Sequence, residues 1–176
     1  MTRRLGLFVL AVLLSGIVGR AAESLRIVPI NSDDRLVVSV ELNDGYTDEV
    51  RQAIASGLRT TFTYDIELRM VVPGWVDRTV ATSSVTLSDQ YDNLTRRHTL
   101  SRVIDGRIDD TAVTEDDAAV RQWLTHLTRI PIVRTTRLDA NRDYYVRISA
   151  QARPRGGSLL GWTNAITGQA KFTFIP

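Results

Sequence analysis

Polar and apolar residues alternate along much of the chain, most clearly in the segment TFTYDIELRMVV at residues 61–72. One face of this segment is apolar and carries Phe62, Tyr64, Ile66, Leu68, Met70 and Val72. The other face carries Thr61, Thr63, Asp65, Glu67 and Arg69. A period of two residues is typical of an antiparallel strand with one buried face. The pattern therefore predicts a strand whose apolar face belongs to the core.

Seven further segments have the features of strands, and turn-forming residues separate most of them. They are LRIVPI (25–30), RLVVSVELN (35–43), WVDRTVATSSVTLSD (75–89), residues 94–104, RIPIVRTTRL (129–138), YYVRISAQAR (144–153) and QAKFTFIP (169–176). Pro73-Gly74 predicts a hairpin turn, Asp105-Gly106 a turn that ends the fifth strand, and Arg155 to Gly161 a glycine-rich loop. Strands joined by such short connections pair as antiparallel neighbours.

Two short helices are predicted between the strands. The first spans Thr47 to Leu58, with Val50 and Ile54 spaced one turn apart on its apolar side. In the second, Thr114 is the expected N-cap of EDDAAVRQWLTHL, and Ile130-Pro131 is the expected stop. Its apolar stripe contains Val120, Trp123, Leu124 and Leu127. The order of elements predicts a mainly β (α+β) fold, an antiparallel β-sandwich of about eight strands with two short helices.

The N-terminus has the features of a secretory signal peptide. Arg3 and Arg4 precede a 14-residue, mostly apolar run from Leu5 to Val18, and small residues follow. This run is short for a membrane-spanning helix, which needs about 20 residues. Cleavage after Ala21 is favoured over cleavage after Ala22, and an uncleaved membrane anchor is the alternative. We expect a signal peptide at 1–22 and a single β-rich extracytoplasmic domain at 23–176.

Export changes how the charge and the cysteine content are interpreted. The formal charge of +2 includes Arg3, Arg4 and Arg20, and without these three the chain has 19 basic and 20 acidic residues. Nucleic-acid binding, which depends on a basic excess, is therefore not expected. The chain contains no cysteine, so it forms no disulfides and offers only nitrogen and oxygen ligands to a metal. We expect a periplasmic protein.

The stretch YDNLTRRHTLSR contains His98, one of only two histidines. Alternation from Leu94 places His98 on a face with Leu100 and Ile104, where an imidazole usually serves as a partly buried aromatic. No serine, cysteine or carboxylate is evidently placed to pair with it as in a catalytic triad. We interpret His98 as structural, with a catalytic base as the alternative. His98→Tyr is then expected to be nearly neutral, and His98→Ala to cost about 1 to 3 kcal/mol.

The remaining polar residues suggest neither a metal site nor a cofactor, and we expect none. His126 has no second ligand one helical turn away. The acidic residues lack the spacing of a calcium loop; they are Asp105, Asp109, Asp110, Glu115, Asp116 and Asp117. Those from Glu115 to Asp117 are better explained as capping and helix-dipole residues of the second helix. A carboxylate- and arginine-dependent hydrolase in which Asp105, Asp109 or His98 converge is retained as the alternative function.

One strand has a polar face that suggests recognition. This face contains Tyr145, Arg147, Ser149, Gln151 and Arg153, opposite Tyr144, Val146, Ile148, Ala150 and Ala152. Arginine and tyrosine are enriched in recognition surfaces, although a solvated sheet face has the same pattern. We therefore regard this face as the candidate binding face of a non-enzymatic module whose partner is an envelope protein or another envelope component, with a solvated outer sheet face as the alternative.

Several motifs occur in an order that resembles a known family. They are FTYDIELR, W-V-D, YDNLTRRHTLSR-x-x-DG, AVRQWLTHLTRIPI and YYVRISAQ. Together, from about Leu25 to the C-terminus, they resemble a bacterial family of exported domains of unknown function, numbered 4390. The resemblance implies a link to envelope signalling, with a sensor histidine kinase as partner by association only. It implies no enzymatic activity.

Overall fold

The computed structural model describes residues 24–154 and 165–175. The predicted signal peptide and the predicted glycine-rich loop lie outside the described residues. The described chain forms nine strands and two α-helices. The strands are β1 (Leu25–Ser32), β2 (Arg35–Leu42), β3 (Thr60–Met70), β4 (Arg78–Asp92), β5 (Arg97–Ile104), β6 (Arg107–Thr114), β7 (His126–Arg134), β8 (Asp143–Pro154) and β9 (Ile166–Thr173). The helices are α1 (Asp48–Ala55) and α2 (Asp117–Thr125).

The strands form two antiparallel sheets. One has three strands in the order β1-β2-β7, and the other has six in the order β6-β5-β4-β3-β8-β9. The predicted fold class, an antiparallel β-sandwich with two short helices, is confirmed. Both helices are shorter than ten residues, and no helix in the described ranges is long and apolar enough to cross a membrane.

The core lies on one face of the six-stranded sheet, where buried residues of both sheets and both helices form one cluster. The alternation predicted for β3 is confirmed, because its apolar side chains are buried from Phe62 through Leu68. The residues predicted to face the core from β3 and α2 are buried, except that Met70, Val72 and Trp123 are only partly buried. A one-residue slip of β3 would have exposed this entire apolar face.

The stretch around His98 differs from the prediction at both ends. Leu94 is 95% exposed in a turn, because β4 continues to Asp92 and β5 begins only at Arg97. The Asp105-Gly106 turn does not lead to the second helix. It leads to β6, an additional edge strand. Most β6 side chains are exposed, so this strand lacks the apolar alternation by which buried strands are recognised.

The helix boundaries also required correction. Thr47 caps α1, which ends at Ala55 and not at the predicted Leu58. The cap of α2 is Asp116 and not Thr114, and the Asp116 side chain accepts a hydrogen bond from the backbone N–H of Ala118. Ile130-Pro131 does not end α2. The helix ends at Thr125, and the chain enters β7 at the next residue. Pro131 is tolerated within β7 because β7 is an edge strand.

Candidate binding cleft between the two helices

His98 is buried on β5 and contacts two carboxylates. Its Nδ1 lies 2.9 Å from Oδ2 of Asp89, and its Nε2 lies 3.3 Å from Oδ1 of Asp117. Its ring also packs on Tyr91, the residue opposite it on β4, with 4.5 Å between the ring centroids. The sequence-based statement that no carboxylate pairs with His98 is therefore wrong. The antiparallel register of β4 and β5 brings Asp89 to the imidazole from nine positions away.

Asp89 is the most deeply buried carboxylate of this region, with no exposed surface. Burial raises the pKa of Asp89 above its ordinary value, because a low-dielectric environment disfavours the charged form. The hydrogen bond and the charge of His98 oppose this rise. Asp117 is different, since its side chain is 91% exposed and joins α2 to the sheet through the other ring nitrogen.

Above this pair, the two helices enclose a cleft of about 620 Å³. Tyr91 and His98 form its floor, and α1 and α2 form its walls. The lining residues are Tyr46, Arg51, Ile54, Ala55, Tyr91, His98, Asp117, Ala118 and Arg121. The cleft thus combines aromatic rings, small apolar side chains and two guanidinium groups from opposite walls.

The charged groups of the cleft are not all paired. Arg51 forms an ion pair with Asp48 one turn earlier on α1. The guanidinium of Arg121, in contrast, has no hydrogen bond or ion pair with any described residue. Burial, and secondarily the charges of Asp117 and Asp89, raise the pKa of Tyr46 above its ordinary value, which keeps its phenol protonated at neutral pH. The cleft therefore offers a free cation and a hydroxyl donor.

The acidic residues of the alternative hydrolase do not meet at His98. Asp105 accepts hydrogen bonds from the backbone N–H of Ser84 and the hydroxyl of Ser83 in the turn after β5. Asp109 and Asp110 pair with Arg102. Within the described ranges, no group of three or more metal-ligating side chains is placed to hold an ion. His126 lies near Glu41 instead, at 3.6 Å.

The predicted recognition face of β8 lies on the sheet surface opposite the core, away from this cleft. Tyr145 is buried there and donates a hydrogen bond to Asp77 at 3.0 Å. The exposed guanidinium of Arg147 lies over the Tyr145 ring, 5.7 Å from its centroid. Arg153 donates a hydrogen bond to Gln151 at 2.8 Å, and Ser149 is half-buried. Binding at this face stays a prediction.

Sequence reasoning missed the cleft because its residues come from five separate segments. One signal was present in the sequence. Alternation through β4 places Asp89 on the same face as Val85, Leu87 and Tyr91. A carboxylate on an apolar face needs a partner, and His98 was the available candidate.

Comparison with known proteins identified a family but no characterised relative. The family model described as "Domain of unknown function (DUF4390)" matches residues 20–154. This match confirms the family that the sequence motifs resemble. No curated protein and no solved structure gives a significant match.

Proposed function

The chain belongs to the DUF4390 family, and we propose that it is a non-enzymatic binding domain of the bacterial envelope with its ligand site between α1 and α2. The observation that supports this proposal is the cleft itself. Its volume of about 620 Å³ is within the usual range of ligand pockets. Arg121 and Tyr46 at its rim are residue types enriched where proteins recognise one another.

The chemistry of the cleft favours an acidic segment of an envelope protein as the ligand. The unpaired guanidinium of Arg121 is suited to a carboxylate, which it can bind through two parallel hydrogen bonds. Tyr91, Ile54 and Ala118 supply the apolar part of the lining for the neighbouring part of the segment. Asp117 disfavours a second acidic group close to the first, so the preferred ligand carries one carboxylate in this position.

The alternative function, a hydrolase, is favoured by one observation, the buried Asp89–His98 pair. A buried carboxylate orients the histidine of catalytic triads in the same manner. However, Nε2 of His98 faces Asp117 at 3.3 Å and not a serine. The cleft lining contains no serine, threonine or cysteine nucleophile. Both ring nitrogens of His98 face carboxylates. An imidazole held in this way is better suited to fixing the floor of the cleft than to catalysis.

Export to the periplasm is part of the proposal. It is supported by Arg3, Arg4 and the apolar run that follows them, with cleavage after Ala21. An envelope location brings the cleft into contact with the extracytoplasmic parts of membrane proteins. Among these, a sensor histidine kinase is the candidate partner suggested by the family resemblance.

Quantitative affinity capture from an envelope extract tests the proposed site. Wild type, Arg121→Glu and a control, Arg107→Glu, serve as immobilised baits. Arg107 is exposed on β6 and does not line the cleft. We expect one or more partners to be retained by wild type and Arg107→Glu and lost with Arg121→Glu. Equal recovery with all three baits would show that the cleft is not the binding site.

A separate measurement addresses the hydrolase alternative. The purified chain is incubated with chromogenic esters, phosphate esters and peptides, and turnover is compared with that of Asp89→Asn. We expect no turnover above the uncatalysed rate. Turnover that is abolished in Asp89→Asn would replace the binding proposal with the hydrolase.

A further inference from the structure

Three arginines converge at one end of the three-stranded sheet, in a second cavity of about 430 Å³. They are Arg35 on β2, Arg134 at the end of β7, and Arg137 in the single 3-10 turn, Thr135–Arg137, that follows β7. Pro131, Ile132 and Val133 form the apolar part of the lining. This cavity shares no lining residue with the cleft between the helices.

The arrangement of these arginines is electrostatically unfavourable without a counterion. Arg35 and Arg134 occupy directly opposite positions in the β2–β7 pairing, where like charges destabilise a sheet. Arg35 contacts Asp34, but at 3.8 Å. Arg134 and Arg137 have no side-chain hydrogen bond or ion pair with any described residue. The cavity is therefore a concentration of positive charge with little internal compensation.

The backbone holds this cluster in place. The carbonyl oxygen of Asp34 accepts hydrogen bonds from the backbone N–H of Thr135 at 2.8 Å and from its hydroxyl at 3.1 Å. These bonds fix the start of the 3-10 turn against the connection between β1 and β2. The backbone positions of Arg137 and Arg35 are thereby fixed near each other, and the exposed side chains of the three arginines line the same cavity.

We propose that this cavity is a binding site for a phosphate-bearing ligand. Three guanidinium groups and the carboxylate of Asp34 leave a charge of about +2, which matches a phosphate dianion better than a single carboxylate. Arginine forks bind phosphate oxygens in bidentate geometry. The Ile132 wall then contacts the uncharged part of the ligand. The phosphate belongs either to a free, soluble compound, which can be a dianion, or to lipid headgroups at a membrane surface, where two phosphodiester monoanions supply the same charge.

Calorimetric titration with inorganic phosphate is the first test, at an ionic strength kept constant with chloride. The purified chain is compared with Arg134→Gln/Arg137→Gln and with the control Arg107→Gln. We expect saturable binding by wild type and the control, and binding at least tenfold weaker in the double variant. If wild type does not bind phosphate, or all three proteins bind it equally, a soluble phosphate ligand is excluded. The proposal then survives only if phosphatidylglycerol vesicles bind wild type and not the double variant.

Sedimentation with vesicles distinguishes the two sources of phosphate. Phosphatidylglycerol vesicles and phosphatidylcholine vesicles are compared with the same three proteins. Sedimentation with phosphatidylglycerol that is lost in the double variant and reduced by free phosphate indicates a lipid headgroup. Phosphate binding without sedimentation indicates a soluble ligand. If neither probe binds through Arg134 and Arg137, the site does not exist.

The unliganded protein gives an independent test. Removal of one of two facing like charges by Arg134→Gln should raise the thermal midpoint at low salt, and the gain should shrink as salt screens the repulsion. A midpoint that is unchanged or lower at low salt would show that the arginines do not repel one another and would remove the electrostatic argument for an anion site. This result is independent of the proposed function of the cleft.

Discussion

Asp89 and His98 are both buried and contact each other, which makes them interdependent. Asp89 has no exposed surface and His98 is 3% exposed. Removal of one partner of a buried hydrogen-bonded pair typically costs about 1 to 3 kcal/mol, and more where the remaining group is charged, because that group stays buried without compensation. His98 also contacts Tyr91 and Asp117, so its loss affects the floor of the cleft and the attachment of α2.

The first prediction concerns His98 itself. We expect both His98→Ala and His98→Tyr to lower the free energy of unfolding by about 3 kcal/mol, measured by urea denaturation. The sequence alone suggested that tyrosine would be nearly neutral. In the structure, however, a tyrosine ring has no atom in the place of Nδ1 to compensate Asp89. The control is His126→Ala, an exposed position where we expect a change within about 0.5 kcal/mol.

A double-mutant cycle separates the pair from simple loss of volume. The effects of His98→Ala and Asp89→Asn should be clearly non-additive, because either change alone disrupts the same interaction. Additive effects, or a His98→Tyr protein as stable as wild type, would contradict the assigned role of the pair.

The second prediction is a pH dependence caused by Asp89. Because burial raises its pKa in the folded state, the folded protein binds this proton more tightly than the unfolded chain does. The contribution of Asp89 to stability is therefore most favourable below its unfolded pKa of about 3.9, and stability is lost as pH rises through the higher folded pKa. Asp89→Asn cannot titrate and should lack this decline. Parallel curves of unfolding free energy against pH for the two proteins would contradict the prediction.

At the residue level, the faces of β3 were predictable, whereas the contact of His98 with Asp89 was indicated only by the carboxylate on an apolar face. Every second side chain of β3 is buried against one core, so the local pattern is sufficient. The Asp89–His98 contact depends on the length of the connection between β4 and β5, where the sequence-based boundary was wrong. The predicted strand began at Leu94, which left no room for the hairpin turn at residues 93–96. Without that turn, the register between β4 and β5 cannot be derived.

Strands with an apolar buried face were predicted well, whereas the exposed edge strand β6 was not. β6 lies at the edge of its sheet, and its sequence RIDDTAVT lacks apolar alternation. The start of α2 was uncertain for a related reason. Four residues from Thr114 to Asp117 can all cap or begin a helix. The choice among them depends on how far β6 extends, which tertiary pairing with β5 decides.

The third prediction tests the observed start of α2. Asp116 accepts a hydrogen bond from the backbone N–H of Ala118 at 2.9 Å, so Asp116→Ala should cost about 1 kcal/mol. Thr114 accepts only the N–H of Asp116, before the helix, and Thr114→Ala should cost less. Thermal and urea unfolding of the two variants provide the comparison. A larger effect of Thr114→Ala would place the cap where the sequence alone had suggested it.

At the level of the whole molecule, the sandwich depends on contacts that no local pattern shows. β2 pairs with β7 across about ninety residues of sequence, and β1 packs over β9 from the opposite end of the chain. The number of strands and their antiparallel pairing follow from short connections, but the order of strands in each sheet does not. Both candidate sites depend on this strand order. It determines where the two helices lie and places β7 beside β2.

The last prediction tests the contact between the two sheets at Gly168 on β9. A Cβ atom at this position would lie 3.2 Å from Cδ2 of Leu25 and 3.3 Å from Cδ1 of Ile27, both on β1. We therefore expect Gly168→Leu to destabilise the protein by about 1 to 3 kcal/mol through overpacking. The control, Gln169→Leu, changes the exposed neighbour on the same strand and should be nearly neutral. Introducing Leu25→Ala into the Gly168→Leu protein should recover part of the loss, because it removes the side chain closest to the inserted one. Equal stability of Gly168→Leu and Gln169→Leu in urea would show that β1 does not pack against β9.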